Sequence, residues 1–242
     1  MKKSKPLCGS VTFTSLLMTA VAFSATSALG SMYYTPVGAT DSNGSVDASA
    51  QVTVGNGMVT ITLNDLLQNP TSSGQTLSGL ELNISGATGA ATLASSSGFT
   101  STINPDGSYT SGVYQSPLGH WGADNSFNLS TIGIVGHQPY DLIVGPDSAG
   151  GFSGAGSYSA ANNGFGNFNP YVLGSATFTV NIPGVTSSSS ISGVNFEFGT
   201  APETVPAVSY SPVPEAGSIY GAAPVALGLL PLSAAFLRKL RK

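Results

Sequence analysis

Along the middle of the chain, apolar residues alternate with hydroxyl- and amide-bearing ones. Gln51-Val-Thr-Val54 and Met58-Val-Thr-Ile-Thr-Leu63 both repeat with period two and flank Gly55-Asn56-Gly57. That period sends successive side chains to opposite sheet faces, so Val59, Ile61 and Leu63 share one face and Thr60 and Thr62 the other. With glycine and asparagine between them, the two runs predict a β-hairpin. Leu80-Glu-Leu-Asn-Ile84, Ala176-Thr-Phe-Thr-Val-Asn-Ile182 and Val194-Asn-Phe-Glu-Phe198 alternate in the same way. Residues 127–135 and 140–144 are fainter strand candidates. Residues 64–68 read as a single helical turn, closed by Asn69-Pro70. No long stretch carries a helical period. Short strands separated by Gly, Ser, Asn and Pro clusters predict an all-β body of the β-sandwich or jelly-roll kind.

Two apolar stretches lack the alternation, and they lie near the two ends. The first, residues 11–23, follows Met1-Lys-Lys-Ser-Lys5 and precedes the small residues 24–30. Basic, apolar and small-residue regions in that order predict a secretory signal peptide over residues 1–30, cut between Ala25 and Ser31. Cys8 precedes the apolar stretch, so a chain cut there keeps no cysteine and has no disulfide. The second, residues 219–237, is 19 residues without a charge. As a helix it spans about 28 Å, close to the hydrocarbon thickness of a bilayer. Arg238, Lys239, Arg241 and Lys242 follow at once and read as a stop-transfer signal, placing the tail in the cytoplasm and the body outside.

Val213, Pro214 and Glu215 stand just before that span, with Ala216 next. A Pro-Glu motif, one spanning helix and a basic end together resemble the PEP-CTERM sorting signal of Gram-negative bacteria. The usual family pattern is Val-Pro-Glu-Pro, and Ala216 departs from it at the fourth position. The resemblance covers about residues 212–242. It implies export through the secretion translocon and recognition by an exosortase-type sorting enzyme. It further implies a transient inner-membrane anchor, then release to the cell surface or extracellular matrix. Residues 69–75, Gly119-His120-Trp121-Gly122 and residues 196–200 also resemble segments of such proteins whose function is unassigned.

Charge sharpens the picture. All seven Lys and Arg of this 242-residue chain lie at its ends, as Lys2, Lys3, Lys5, Arg238, Lys239, Arg241 and Lys242. Between Pro6 and Leu237 the only basic-type side chains are His120 and His137, while all eleven carboxylates fall between Asp41 and Glu215. A body without Lys or Arg cannot neutralise phosphates, which excludes nucleic acid as a partner. It also lacks a phosphate-loop lysine, a Schiff-base lysine and an arginine clamp. The expected layout is a signal peptide (1–30), an all-β exported domain (31–199), a Pro-containing linker (200–212) and a sorting tail (213–242).

Candidate chemistry is sparse. Gly119-His120-x-x-x-Asp124 is echoed by Gly136-His137-x-x-x-Asp141, but Gly119, Gly122 and Pro139 break any helix that would aim the pairs together. No metal and no cofactor is expected. Trp121, with Asp124, Asn125 and Tyr114 nearby, has the composition of a sugar-binding platform; a tryptophan buried in the core is the commoner outcome. Gly151-Phe152-Ser153-Gly154 falls short of a nucleophile elbow, and nothing selects two facing carboxylates for glycoside hydrolysis. Asp41-Ser42-Asn43-Gly44-Ser45-Val46-Asp47 is a loose echo of a calcium loop and reads as a polar turn. Residues 149–169 form a Gly/Ser/Asn stretch too long for an ordinary loop. The expected role is structural or adhesive, without catalysis, in the envelope or exopolysaccharide matrix. A secreted glycan-binding module is the alternative, and a secreted hydrolase comes third.

Overall fold

The computed structural model describes residues 30–131, 139–159, 164–201 and 203–210. The signal peptide, the sorting tail with its span 219–237, and His137 lie outside the described residues. No helix among the described residues is long and apolar enough to cross a membrane.

The chain is all-β. Its strands are β1 (Ser31–Tyr34), β2 (Thr40–Asp41), β3 (Gly44–Ser45), β4 (Ala48–Val54), β5 (Met58–Asp65), β6 (Leu77–Ile84), β7 (Thr92–Ser101), β8 (Val113–Gln115), β9 (Gly122–Ala123), β10 (Asn128–Ser130), β11 (Ile143–Val144), β12 (Tyr171–Asn181), β13 (Ile191–Phe198), β14 (Glu203–Pro206) and β15 (Val208–Tyr210). Hydrogen bonding runs in the order β14-β13-β6-β11-β12-β5-β4-β1-β15, with β7 and β8 branching from β12, and β10 and β9 from β6. Short β11 joins the two halves, parallel to β12 and antiparallel to β6.

Alternation explains what the halves bury. Val59, Ile61, Leu63, Phe178 and Val180 come from β5 and β12, and Leu80, Leu82, Ile84, Phe196 and Phe198 from β6 and β13; all belong to one buried cluster. Burying apolar faces of both halves together is consistent with a β-sandwich. The hairpin read from residues 51–63 is present, pairing Gln51 with Thr62 and Thr53 with Thr60. Gly57 turns it with φ +74°, a conformation glycine adopts without steric cost. The opposite phase of the same strands forms uncharged rows. Thr53, Thr60, Thr179 and Ser95 pair successively across four strands, as do Gln51, Thr62, Thr177 and Ser97.

Two expectations change, and one strand, β7, is not announced by alternation in the sequence. The helical turn over residues 64–68 is absent: β5 continues through Asp65, and the Leu66 N–H donates to Asp47 O at 2.8 Å. Pairing with β4 satisfies this backbone, so one turn of helix has nothing to add. The linker over residues 200–212 is mostly strand. β14 pairs with β13, and β15 pairs with β1, so the domain runs through Tyr210. Pro206 fits because β14 is an edge strand, where a missing N–H costs little. Finally, β7 carries almost no apolar alternation, because its buried phase is Ser96, Gly98 and Thr100. The Ser96 hydroxyl accepts from Leu118 N at 2.9 Å, which makes its burial tolerable.

The Gly/Ser-rich stretch beyond residue 149 is organised by aromatics and one carboxylate. Tyr158, Phe165 and Tyr171 are fully buried in a second cluster with Ile103, Tyr109, Leu142, Val144 and Leu173. Asp147, fully buried, accepts from the Tyr109 hydroxyl at 2.8 Å and from Ala149, Gly151 and Gly156 N–H at 2.8, 3.1 and 3.1 Å. Burial opposes its ionisation, but the Tyr109 hydroxyl and these N–H groups outweigh it and hold the carboxyl below the usual range.

Candidate functional site

Trp121 does not offer a platform. Its side chain is 5% exposed, its ring lies 4.5 Å from that of Phe178, and Nε1 donates to Asp141 O at 2.9 Å. An indole with its ring in the core and its N–H satisfied has no open face for a sugar. Tyr114, the aromatic grouped with it in sequence, stands exposed on β8 and packs edge-to-face on Phe99 at 5.5 Å.

The spacing of His120 and Asp124 also loses its meaning. His120 pairs with Asp141, Nδ1 to Oδ2 at 2.8 Å, and its ring meets Tyr140 at 5.0 Å. Asp141 is buried with φ +58°. Its N–H donates to Pro170 O at 2.9 Å, and its carboxylate also accepts from His120 N at 3.3 Å. Each polar group of Asp141 therefore pins a neighbouring segment, which is a structural use of the pair. Among the described residues, no group of three or more His, Cys, Asp or Glu side chains could hold a metal ion. The loop from Asp41 to Asp47 is a polar turn: Asp41 Oδ1 accepts from Asn43 N at 2.7 Å, and Glu203 reaches over from β14 to the Ser42 hydroxyl and N–H.

Asp124 and Asn125 lie elsewhere, on the turn from β9 to β10. Asp124 Oδ1 accepts from Ser126 N at 2.7 Å and Asn128 N at 3.1 Å, an Asx turn completed by Phe127 at φ +60°. Asn125 is exposed at its tip. This turn walls a groove of about 580 Å³ over the outer face of β6 and β13. Register explains the lining. Asn128, Glu81 and Asn195 stand side by side across β10, β6 and β13, and Asn83 faces Gly193 in the next row. Gly193 supplies no side chain there, which leaves the groove open between its neighbours. Asn195 Nδ2 donates to Glu81 Oε2 at 2.8 Å.

One row further along, Glu197 is 2% exposed and takes Asn128 Nδ2 on Oε1 at 2.8 Å. Burial pushes its carboxyl above the usual range. The charges of Glu81 and Asp124 push the same way, while the Ser130 hydroxyl and Asn128 amide oppose. Glu197 thus sits beneath the groove wall, and the groove itself presents carboxylates, amides and Phe127. That set accepts hydrogen bonds from a polyhydroxylated or cationic ligand. Sequence reading found Asp124 but missed Glu81, Asn83, Asn128 and Asn195. The signal for Glu81, Asn83 and Asn195 was present as the polar phase of the alternating runs 80–84 and 194–198, whereas Asn128 stands in the fainter candidate 127–135. Comparison with protein-family models, curated proteins and solved structures finds no match to this chain.

Proposed function

We propose that the chain is an exported, exosortase-sorted protein of the bacterial envelope or extracellular matrix, with a structural or adhesive role and no catalysis. The observation that carries the reading is the way the chain enters and leaves the body. β1 and β15 are antiparallel neighbours with Met32 opposite Tyr210, so the chain enters and leaves the described body at one end of one sheet edge. A body held from that end projects its remaining faces away from the membrane. Those faces carry hydroxyls, amides and carboxylates, and no Lys or Arg. Intact mass of the protein recovered from the envelope and medium tests the proposal. The expected species begins near Ser31 and ends near Glu215. Protein recovered from the cytosol with both extremities intact overturns it.

A second reading, a glycan-binding module, is favoured by the groove that gathers Glu81, Asp124, Asn128 and Asn195. The two readings are compatible, since a matrix protein needs a contact with the polysaccharide around it.

A further inference from the structure

We infer that the groove over β6 and β13 takes an amino-sugar polymer, with Glu81 and Asp124 holding its protonated amines. The inference rests on the glycan-binding reading and narrows it to one charge class.

The groove sets two carboxylates, each only partly used, beside the amides of Asn83, Asn128 and Asn195. From the described residues, Glu81 receives a hydrogen bond on Oε2 alone and Asp124 on Oδ1 alone. Asn128 spends its Nδ2 on Glu197. Glu81 Oε1 and Asp124 Oδ2 remain to accept N–H or O–H groups from a ligand. That ligand must also answer a charge. No Lys or Arg occurs between Pro6 and Leu237, so the body holds no permanently charged cation to neutralise Glu81 and Asp124.

An anionic polysaccharide is repelled by this arrangement, and a neutral one leaves the charge unanswered. A metal ion would need a ligand set that the described residues do not assemble. Ammonium groups on a sugar supply charge and donors together, and charge-assisted hydrogen bonds are the stronger kind. The cavity, about 580 Å³, lies within the range of small-molecule sites, and Phe127 gives a ring one apolar contact. Gly193 leaves room for that ring: a Cβ there would meet only the Asn83 Cβ, at an ordinary 3.6 Å.

The test is calorimetric titration of the full-length chain with deacetylated chito-oligosaccharide, beside the fully N-acetylated oligosaccharide of equal length. The amine form should bind at least about tenfold tighter, the equivalent of one charge-assisted hydrogen bond, and its affinity should fall with salt. Glu81→Gln with Asp124→Asn should weaken amine binding by about tenfold or more. Asp106→Asn, an exposed carboxylate outside the groove, should leave it unchanged. Should the double variant fail to fold, Gly193→Leu fills the groove with every carboxylate intact and should abolish binding. Equal binding of the acetylated form overturns the amine assignment and leaves the glycan reading standing. No binding of either form overturns both. A loss in Asp106→Asn equal to that in the double variant, or competition by calcium alone, also overturns the site.

Discussion

Glu197 on β13 occupies the space that a side chain at position 79 would fill. A Cβ at Gly79 would run into the Glu197 carboxylate and come within 2.9 Å of Leu129 O. Leaving out one side chain on β6 lets β13 lay a carboxylate across it toward Asn128. Gly79→Ala should destabilise the protein by about 1–3 kcal/mol through overpacking. Urea midpoints of the two proteins check this, and equal midpoints would contradict the contact.

Asp65 should make stability fall as pH rises. It is 2% exposed with Oδ2 unpartnered among the described residues. Burial holds its carboxyl well above the usual range, against the opposing N–H of Leu67. A raised folded-state pKa means the native state binds the proton more tightly than the unfolded chain. Its contribution is therefore fully present below about pH 4, the unfolded carboxyl value, and is lost as pH rises through the folded value. Asp65→Asn removes the titration, so the stability of the variant relative to the parent should improve from pH 4 to pH 7. A constant difference across that range would refute the assignment.

Asp147 should act in the opposite sense. Its carboxyl is held below the usual range, so its contribution is present above about pH 4 and is lost as pH falls through the folded value. Asp147→Ala strands the Tyr109 hydroxyl and the N–H groups of Ala149, Gly151 and Gly156. A loss of about 3–5 kcal/mol is expected, as when one partner of a buried charged network is removed. Near-ultraviolet circular dichroism of the Tyr109–Tyr158 pair should weaken with it.

Trp121, the only tryptophan, reports its own burial. Its emission should lie to the blue of free indole and resist quenching by acrylamide. Trp121→Ala should cost about 3–5 kcal/mol as a large core deletion. Ready quenching in the native protein would place the indole at the surface and restore it as a candidate for direct sugar contact.

The last strand should belong to the domain. Truncation after Ala207 removes β15 and strips β1 of its outer partner, which should lower stability by about 1–3 kcal/mol through lost backbone hydrogen bonds. Truncation after Tyr210 keeps the pairing and should leave the unfolding midpoint unchanged. Equal midpoints for both truncations would return residues 208–210 to the linker.

Much of the fold was legible because strand alternation is local. The runs 51–63, 80–84, 176–182 and 194–198 each declare an inward and an outward face within a few residues. β7 was illegible because its buried phase is hydroxyl and glycine, and those burials are permitted by partners in distant loops such as Leu118. β14 and β15 hid behind prolines, which argue against a central strand and are harmless at an edge.

Composition alone determined that the body contains no positive side chain outside its two histidines, and that its charge is carried by carboxylates. Tertiary structure decided what each carboxylate meets. His120 pairs with Asp141, 21 positions away, while Asp124 at four positions caps a turn. The groove draws Glu81, Asn128 and Asn195 from three strands far apart in the chain and sets them in one row. Face follows from a local period of two, whereas partners follow from which strands pair, and strand pairing is settled by nonlocal contacts that no short stretch of sequence encodes.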